Sequence, residues 1–222
     1  PHIIIQYNIS PEKILGVNSS GISVNKMLAK TTSLSHLKTD RACVTPNGAL
    51  FKTDSQGFLP EMMETMYNER VIYKKRMLKA KKEYEKTKDP KLVREISRCH
   101  NIQWARKIAL NSAYGAVGNQ YFRYYDVRQA SAITTAGQFI IRFIEEKVNN
   151  YLNTILKSEE KLDYIVASDT DSIYVTLDKL VEKTCQGKDN DQICNFLDKV
   201  VGSRIEPFIE KCFDELSEYT NA

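Results

Sequence analysis

Hydrophobic spacing changes several times along the chain, and each change marks an element. The first 59 residues are interrupted by turn signals at Gly16-Val17-Asn18-Ser19-Ser20-Gly21, Pro46-Asn47-Gly48 and Asp54-Ser55-Gln56-Gly57. From Glu61 to about Lys86 there is no Gly or Pro, and Met62, Met63, Met66, Tyr73 and Met77 form a partial apolar stripe at helical spacing. Thr87-Lys88-Asp89-Pro90 is a turn, with Pro90 placed to start a helix. A second helical pattern covers about Lys91 to Tyr114, with Gly115 as its expected C-cap. At 1.5 Å per residue the two make an antiparallel hairpin about 35–40 Å long.

A third helix is expected over Ser131 to Lys157, where Ile133, Ile140, Phe143, Ile144, Tyr151, Leu152 and Ile155 recur at helical spacing. Two β-prone runs follow, Tyr164-Ile165-Val166-Ala167-Ser168 and Ile173-Tyr174-Val175-Thr176-Leu177, separated by a short acidic turn and therefore a β-hairpin. One long amphipathic helix from about Ile193 to Tyr219, kinked at Pro207, completes the pattern. No internal repeat or low-complexity tract occurs. The fold class expected is α+β: a small antiparallel sheet packed on helices, plus a long two-helix hairpin.

Composition narrows the class without naming a function. The 222 residues are 42% hydrophobic and 27% charged, an ordinary globular balance, and no run of apolar residues is long enough to span a membrane. The opening Pro-His-Ile-Ile-Ile is no signal peptide. Cys43, Cys99, Cys185, Cys194 and Cys212 are odd in number, scattered and free of C-x-x-C pairs, which points to a reducing, cytoplasm-like compartment. Net charge is +4, but it is unevenly placed. Pro60 to Gly115 carries 14 Lys and Arg against 7 Asp and Glu, leaving a net −3 on the remainder. A cationic hairpin on a slightly acidic body suits an anionic partner held at one place.

Three groups of residues could carry chemistry there. Ser168-Asp169-Thr170-Asp171-Ser172 puts two carboxylates at i and i+2 on the tip of the β-hairpin, where both can project to one side. Mg²⁺ takes oxygen ligands from a few carboxylates plus substrate phosphates, so the pair suits phosphoryl transfer; the same residue types are also ordinary turn formers. Lys107, Asn111 and Tyr114 fall within about 60° of one another on a helix, a cation, an amide and an aromatic on one face. Folding the hairpin about Asp89 brings Arg70, 19 residues before it, level with Lys107, 18 residues after it. Lys74 shares the face of Arg70, one turn nearer the tip. Three converging cations are costly unless an anion such as a triphosphate lies between them; the alternative is that they fan outward into water. Tyr121-Phe122-Arg123-Tyr124-Tyr125-Asp126-Val127-Arg128 interleaves aromatics with cations and fits either a nucleic-acid surface or core. His2, His36 and His100 lack metal-ligand spacing and are given no role.

Together these residues resemble the B-family DNA polymerases. Lys107 with Asn111-Ser112-Ala113-Tyr114-Gly115 is similar to that family's fingers motif, and Asp169-Thr170-Asp171-Ser172 to its D-T-D-S palm motif, about 55 residues downstream. Tyr67-Asn68-Glu69-Arg70 and Asn8-Ile9-Ser10-Pro11-Glu12 resemble the T-even bacteriophage branch.

The resemblance implies palm over residues 1–59 and 116–222, with a fingers hairpin over 60–115. It implies Asp169 and Asp171 as catalytic metal-binding acids for two Mg²⁺ ions, with Asp171 the surer ligand. Arg70, Lys74 and Lys107 would bind the dNTP triphosphate, Asn111 would support it, and Tyr114 would pack on the nascent base pair. Implied partners are primer–template DNA, dNTP, the exonuclease and thumb of the same polymerase, and a sliding clamp; the compartment is a host bacterial cytoplasm if the source is viral. Pro1-His2-Ile3-Ile4-Ile5 resembles the segment just after the first palm aspartate, so the expectation is a palm-and-fingers fragment, inactive by itself. A non-catalytic nucleic-acid-binding module built on the basic hairpin is the alternative.

Overall fold

The computed structural model describes residues 1–18, 21–158 and 160–222. Its elements run α1 (His2–Gln6), β1 (Ile14–Val17), α2 (Val24–Leu28), α3 (His36–Asp40), β2 (Ala42–Val44), β3 (Ala49–Lys52), α4 (Phe58–Thr87), α5 (Pro90–Val117), α6 (Val127–Leu156), β4 (Ile165–Asp169), β5 (Ser172–Val175), α7 (Asp178–Thr184), α8 (Asn190–Val200) and α9 (Glu206–Thr220). The class is α+β, as expected, with two small antiparallel sheets, β1-β3-β2 and β4-β5.

The spine is α6. Asp126 caps it by accepting from the Arg128 N–H at 2.9 Å, and Lys157 ends it in the left-handed region. Its first turns are small: Ala132 and Ala136 are fully buried against Ile4, Tyr7, Phe51, Met63, Leu110 and Val117. Close helix approach needs small residues there, and α5 crosses α6 at this end. Farther along, Phe139, Phe143, Val148 and Leu152 build a second core with Met27, Leu37, Val44, Tyr164 and Leu216. One helix thus joins the base of the α4–α5 hairpin to the sheets and α9. The expected stripe on α6 holds for Phe143, Ile144 and Leu152, whereas Ile155 is half exposed.

Several boundaries differ from expectation. Gly115 does not end α5: the helix runs on to Val117 and Gly118 is the C-cap. At about 1.5 Å per residue the hairpin is therefore nearer 40–45 Å than 35–40 Å. The long C-terminal helix is divided into α8 and α9 by a π-helical turn at Val201–Ile205. Pro207 cannot donate to Ser203, four residues back inside that turn, and its ring crowds that carbonyl, so the kink expected at the proline falls in the turn just before it. Short α1, α2, α3 and α7 lie in stretches that carried no helical signal of useful length. Of the turn signals, Pro46-Asn47-Gly48 closes the β2–β3 hairpin, with Gly48 at φ +83°; Ser19 and Ser20 lie outside the described residues.

The start of α4 is held by a segment far away in sequence. Its N-cap, Gly57, has no side chain to accept the free N–H groups of the first turn. Asn8 Oδ1 accepts from the Gly57 N–H at 2.7 Å, Glu12 Oε1 from Phe58 at 2.8 Å, and Ser10 Oγ from Leu59 at 3.3 Å. Burial pushes the Glu12 carboxyl up, but hydrogen bonds from Ser10 and the Phe58 amide outweigh it and leave it below the usual carboxylate range. The Asn8-Ile9-Ser10-Pro11-Glu12 segment is thus a cap supplied in trans to the hairpin's base.

Candidate nucleotide and metal site

Ion pairs across the α4–α5 hairpin mark its register. Arg106 Nε lies 2.6 Å from Glu69 Oε2, and Arg76 pairs with Glu95 nearer the tip. Arg70 and Lys107 are the next residues after Glu69 and Arg106, so they occupy one level of the hairpin, as folding about Asp89 requires. The acid at that level is engaged by Arg106. Among the described residues, Arg70, Lys74 and Lys107 enter no ion pair. Arg70 is half-buried, and its Nε, like that of Arg106, is shielded from water without a hydrogen-bond partner; Arg106 has the Glu69 carboxylate beside it, whereas Arg70 has no acid beside it among the described residues. A shielded, unpaired guanidinium N–H is the donor an anion would satisfy. Lys74 is exposed, one turn toward the tip.

Lys107 is half-buried, whereas Asn111 and Tyr114 are exposed, with Tyr114 at 45%. Their shared face adjoins the buried one of Leu110, Ala113 and Val117, which is centred about 90° around the helix and packs toward α4 and α6. The predicted single face is therefore present, and it is open. The Lys107 ammonium lies 5.1 Å from the ring centre of Trp104. Sequence reasoning gave Trp104 no role.

The acidic pair sits at the tip of the β4–β5 hairpin, where Asp169 pairs with Ser172 and only Thr170 and Asp171 form the turn. Thr170 has φ +51°, and the Asp171 N–H donates to the Asp169 carbonyl, closing a three-residue turn. A β-branched residue in this region is strained, and such positions cluster where side chains must be aimed. Thr170 Oγ1 donates to Asp169 Oδ1 at 3.0 Å, and Ser172 Oγ to the Asp169 carbonyl at 3.1 Å. The Asp171 carboxylate takes no hydrogen bond or ion pair among the described residues. Both carboxylates are exposed.

No group of three or more His, Cys, Asp or Glu gathers as a metal cage among the described residues. Two open carboxylates nonetheless match the sparse oxygen set that Mg²⁺ accepts when phosphates and water complete its octahedron. The donor set fits the ion.

The N-terminal helix α1 packs against α4 beside the cationic level. The His2 ring meets Tyr67 edge-on, centroids 4.5 Å apart. Tyr67 is one turn before Arg70 on α4. Thus α1 packs on α4 one turn from Arg70, and no hydrogen bond or ion pair joins the acidic hairpin to Arg70, Lys74 or Lys107 among the described residues.

The aromatic segment after α5 is surface rather than core. Tyr121 is 87% exposed, and Phe122, Tyr124 and Tyr125 are also open. Phe122 and Phe58 flank Tyr124, and Arg123 lies 5.7 Å from its ring centre. Among the described residues no helix is long and apolar enough to cross a membrane.

Comparison with known proteins agrees with this geometry. The model of DNA polymerase family B matches residues 1–210. The DNA-directed DNA polymerase of Escherichia phage RB69 is 33% identical over the whole chain, and that of Enterobacteria phage T4 is 30% identical; the chain spans 29% of the length of each. A DNA polymerase beta of African swine fever virus is 27% identical over 79% of the chain and 14% of its own length. With the family model covering nearly all its residues, the chain belongs to DNA polymerase family B.

Proposed function

We propose that this chain forms the nucleotide-binding and acidic part of a template-directed DNA polymerase. The observation that carries the proposal is the single level of the hairpin at which Arg70 and Lys107 meet, with the local acid already engaged by Arg106 and the Arg70 Nε left unpaired. Residues 60–115 act as fingers, and residues 1–59 and 116–222 as palm.

The roles follow from side-chain chemistry. Arg70 offers forked donors to phosphate oxygens, while Lys74 and Lys107 offer point charges on either side of it. The Asn111 amide supports the triphosphate, and the open ring of Tyr114 packs on the nascent base pair. Asp169 and Asp171 hold Mg²⁺, with Thr170 Oγ1 fixing the Asp169 carboxylate by its hydrogen bond. Bound there, a pair of such ions supplies positive charge to the entering and leaving oxygens. The bond formed joins the primer 3′-oxygen to the α-phosphorus, and the bond broken releases pyrophosphate. Movement of the basic hairpin toward the acids brings the triphosphate to them and excludes water. Primer–template DNA, dNTP and Mg²⁺ are the ligands this requires.

Asp171→Ala tests the reading in the polymerase that carries these residues. Metal-dependent primer extension should be lost while the thermal midpoint stays within about 2 °C, because the carboxylate is exposed and unpaired. Near-normal extension overturns the assignment. The local +7 also fits a nucleic-acid-binding module without chemistry. A dNTP with Mg²⁺ should raise thermal stability more than phosphate at matched ionic strength; equal effects favour that second reading.

A further inference from the structure

Lys107 does not stand alone on its helix face. Trp104 stacks on His100, with centroids 6.1 Å apart and planes 16° from parallel, and the Lys107 ammonium lies over the Trp104 ring, 5.1 Å from its centre. Positions 100, 104 and 107 follow helical spacing, so the stack continues the face of Asn111 and Tyr114 toward the hairpin tip. Trp104 is the chain's single tryptophan and is 49% exposed. Its helix buries Cys99, Gln103, Leu110 and Ala113 instead, so core packing does not explain an indole here.

A lysine ammonium on a flexible four-carbon stem loses rotamer freedom when it binds an anion. A ring face beneath it removes part of that cost beforehand, because the indole holds the cation without consuming its N–H donors. Helical side chains lean toward the N-terminus, which brings the Lys107 stem back over position 104. The opposite side of the ammonium stays free for phosphate oxygens.

We propose that Trp104 is a positioning residue for Lys107, setting its ammonium before a nucleoside triphosphate arrives. The inference rests on the reading of Lys107 as a triphosphate ligand. The test is a double-mutant cycle on dATP affinity with Mg²⁺, measured calorimetrically for wild type, Trp104→Ala, Lys107→Ala and the double variant. Trp104→Leu keeps apolar bulk without a π face, and Trp104→Phe keeps a ring; circular dichroism checks each fold. Trp104→Ala and Trp104→Leu should each raise Kd about two- to fivefold, with Phe recovering part of the loss. The Trp104 change should be silent once Lys107 is Ala. Equal losses in both backgrounds, no loss, or a loss that Phe shares with Leu overturns the positioning role while leaving Lys107 as a ligand. An unchanged Kd for Lys107→Ala overturns the reading beneath it.

Discussion

Arg106 Nε stands 2.6 Å from Glu69 Oε2 across the α4–α5 hairpin, and this ion pair marks the level at which the neighbouring Arg70 and Lys107 lie. It also engages the acid at that level, leaving the two neighbours without a carboxylate. The proposed triphosphate ligands and the ion pair at that level thus sit on adjacent residues of each helix.

The ion pair should be measurable in stability. A double-mutant cycle over Glu69→Gln and Arg106→Gln, read by urea denaturation, should give a coupling of about 0.5–1 kcal/mol, the upper part of the range for part-exposed pairs. A coupling indistinguishable from zero would detach the hairpin register from this contact.

Gly57 and Gly115 make opposite predictions. A Cβ at Gly57 would lie 2.5 Å from Ser10 Cβ, 2.9 Å from Ser10 Oγ and 3.0 Å from Glu12 Oε1. Gly57→Ala must therefore displace the segment that caps α4 and should cost about 2–3 kcal/mol. Nothing lies within 4 Å of a Cβ at Gly115, inside α5. Gly115→Ala should stabilise by about 0.5–1 kcal/mol through the lower backbone entropy of the unfolded chain. Thermal melting of the two variants reads both signs, and a destabilised Gly115→Ala would contradict the open site.

Stability should also fall in acid through Glu215. Lys147 donates to its carboxylate at 2.7 and 3.0 Å, and Lys30 at 2.5 Å, holding its pKa below the ordinary 4.5 despite burial. A depressed folded pKa stabilises above the unfolded value and is lost as pH falls through the folded one. The contribution is therefore complete at neutral pH and fades below about pH 4.5. Because the side chain is 37% exposed, solvent screening limits it to about 0.5–1 kcal/mol. Glu215→Gln should flatten the pH dependence of the unfolding free energy between pH 5 and about 3; an unchanged slope would remove Glu215 from the acid response.

The sequence by itself determined the long elements and the residue types that share a face. Helical period over α4, α5 and α6 is a local property of backbone geometry, so Lys107, Asn111 and Tyr114 aligned without knowledge of any neighbour. The β4–β5 hairpin was legible for a similar reason: two β-prone runs flanked a short acidic turn. The motifs at Lys107 and Asp169 carried the family resemblance directly.

Only the tertiary structure decided what capped α4, where α5 ended and which groups met. Asn8, Ser10 and Glu12 satisfy N–H groups some 46 to 49 residues away, a pairing that no local pattern encodes. Gly115 read as a stop because glycine favours helix ends, yet α5 packing carries Val117 into the core beyond it. Trp104 gave no motif, and its contact with Lys107 appears only with side chains in place. The meeting of His2 with Tyr67 likewise depends on α1 packing against α4, a segment far away in sequence. Local spacing chooses which residues share a face; long-range packing chooses what that face meets.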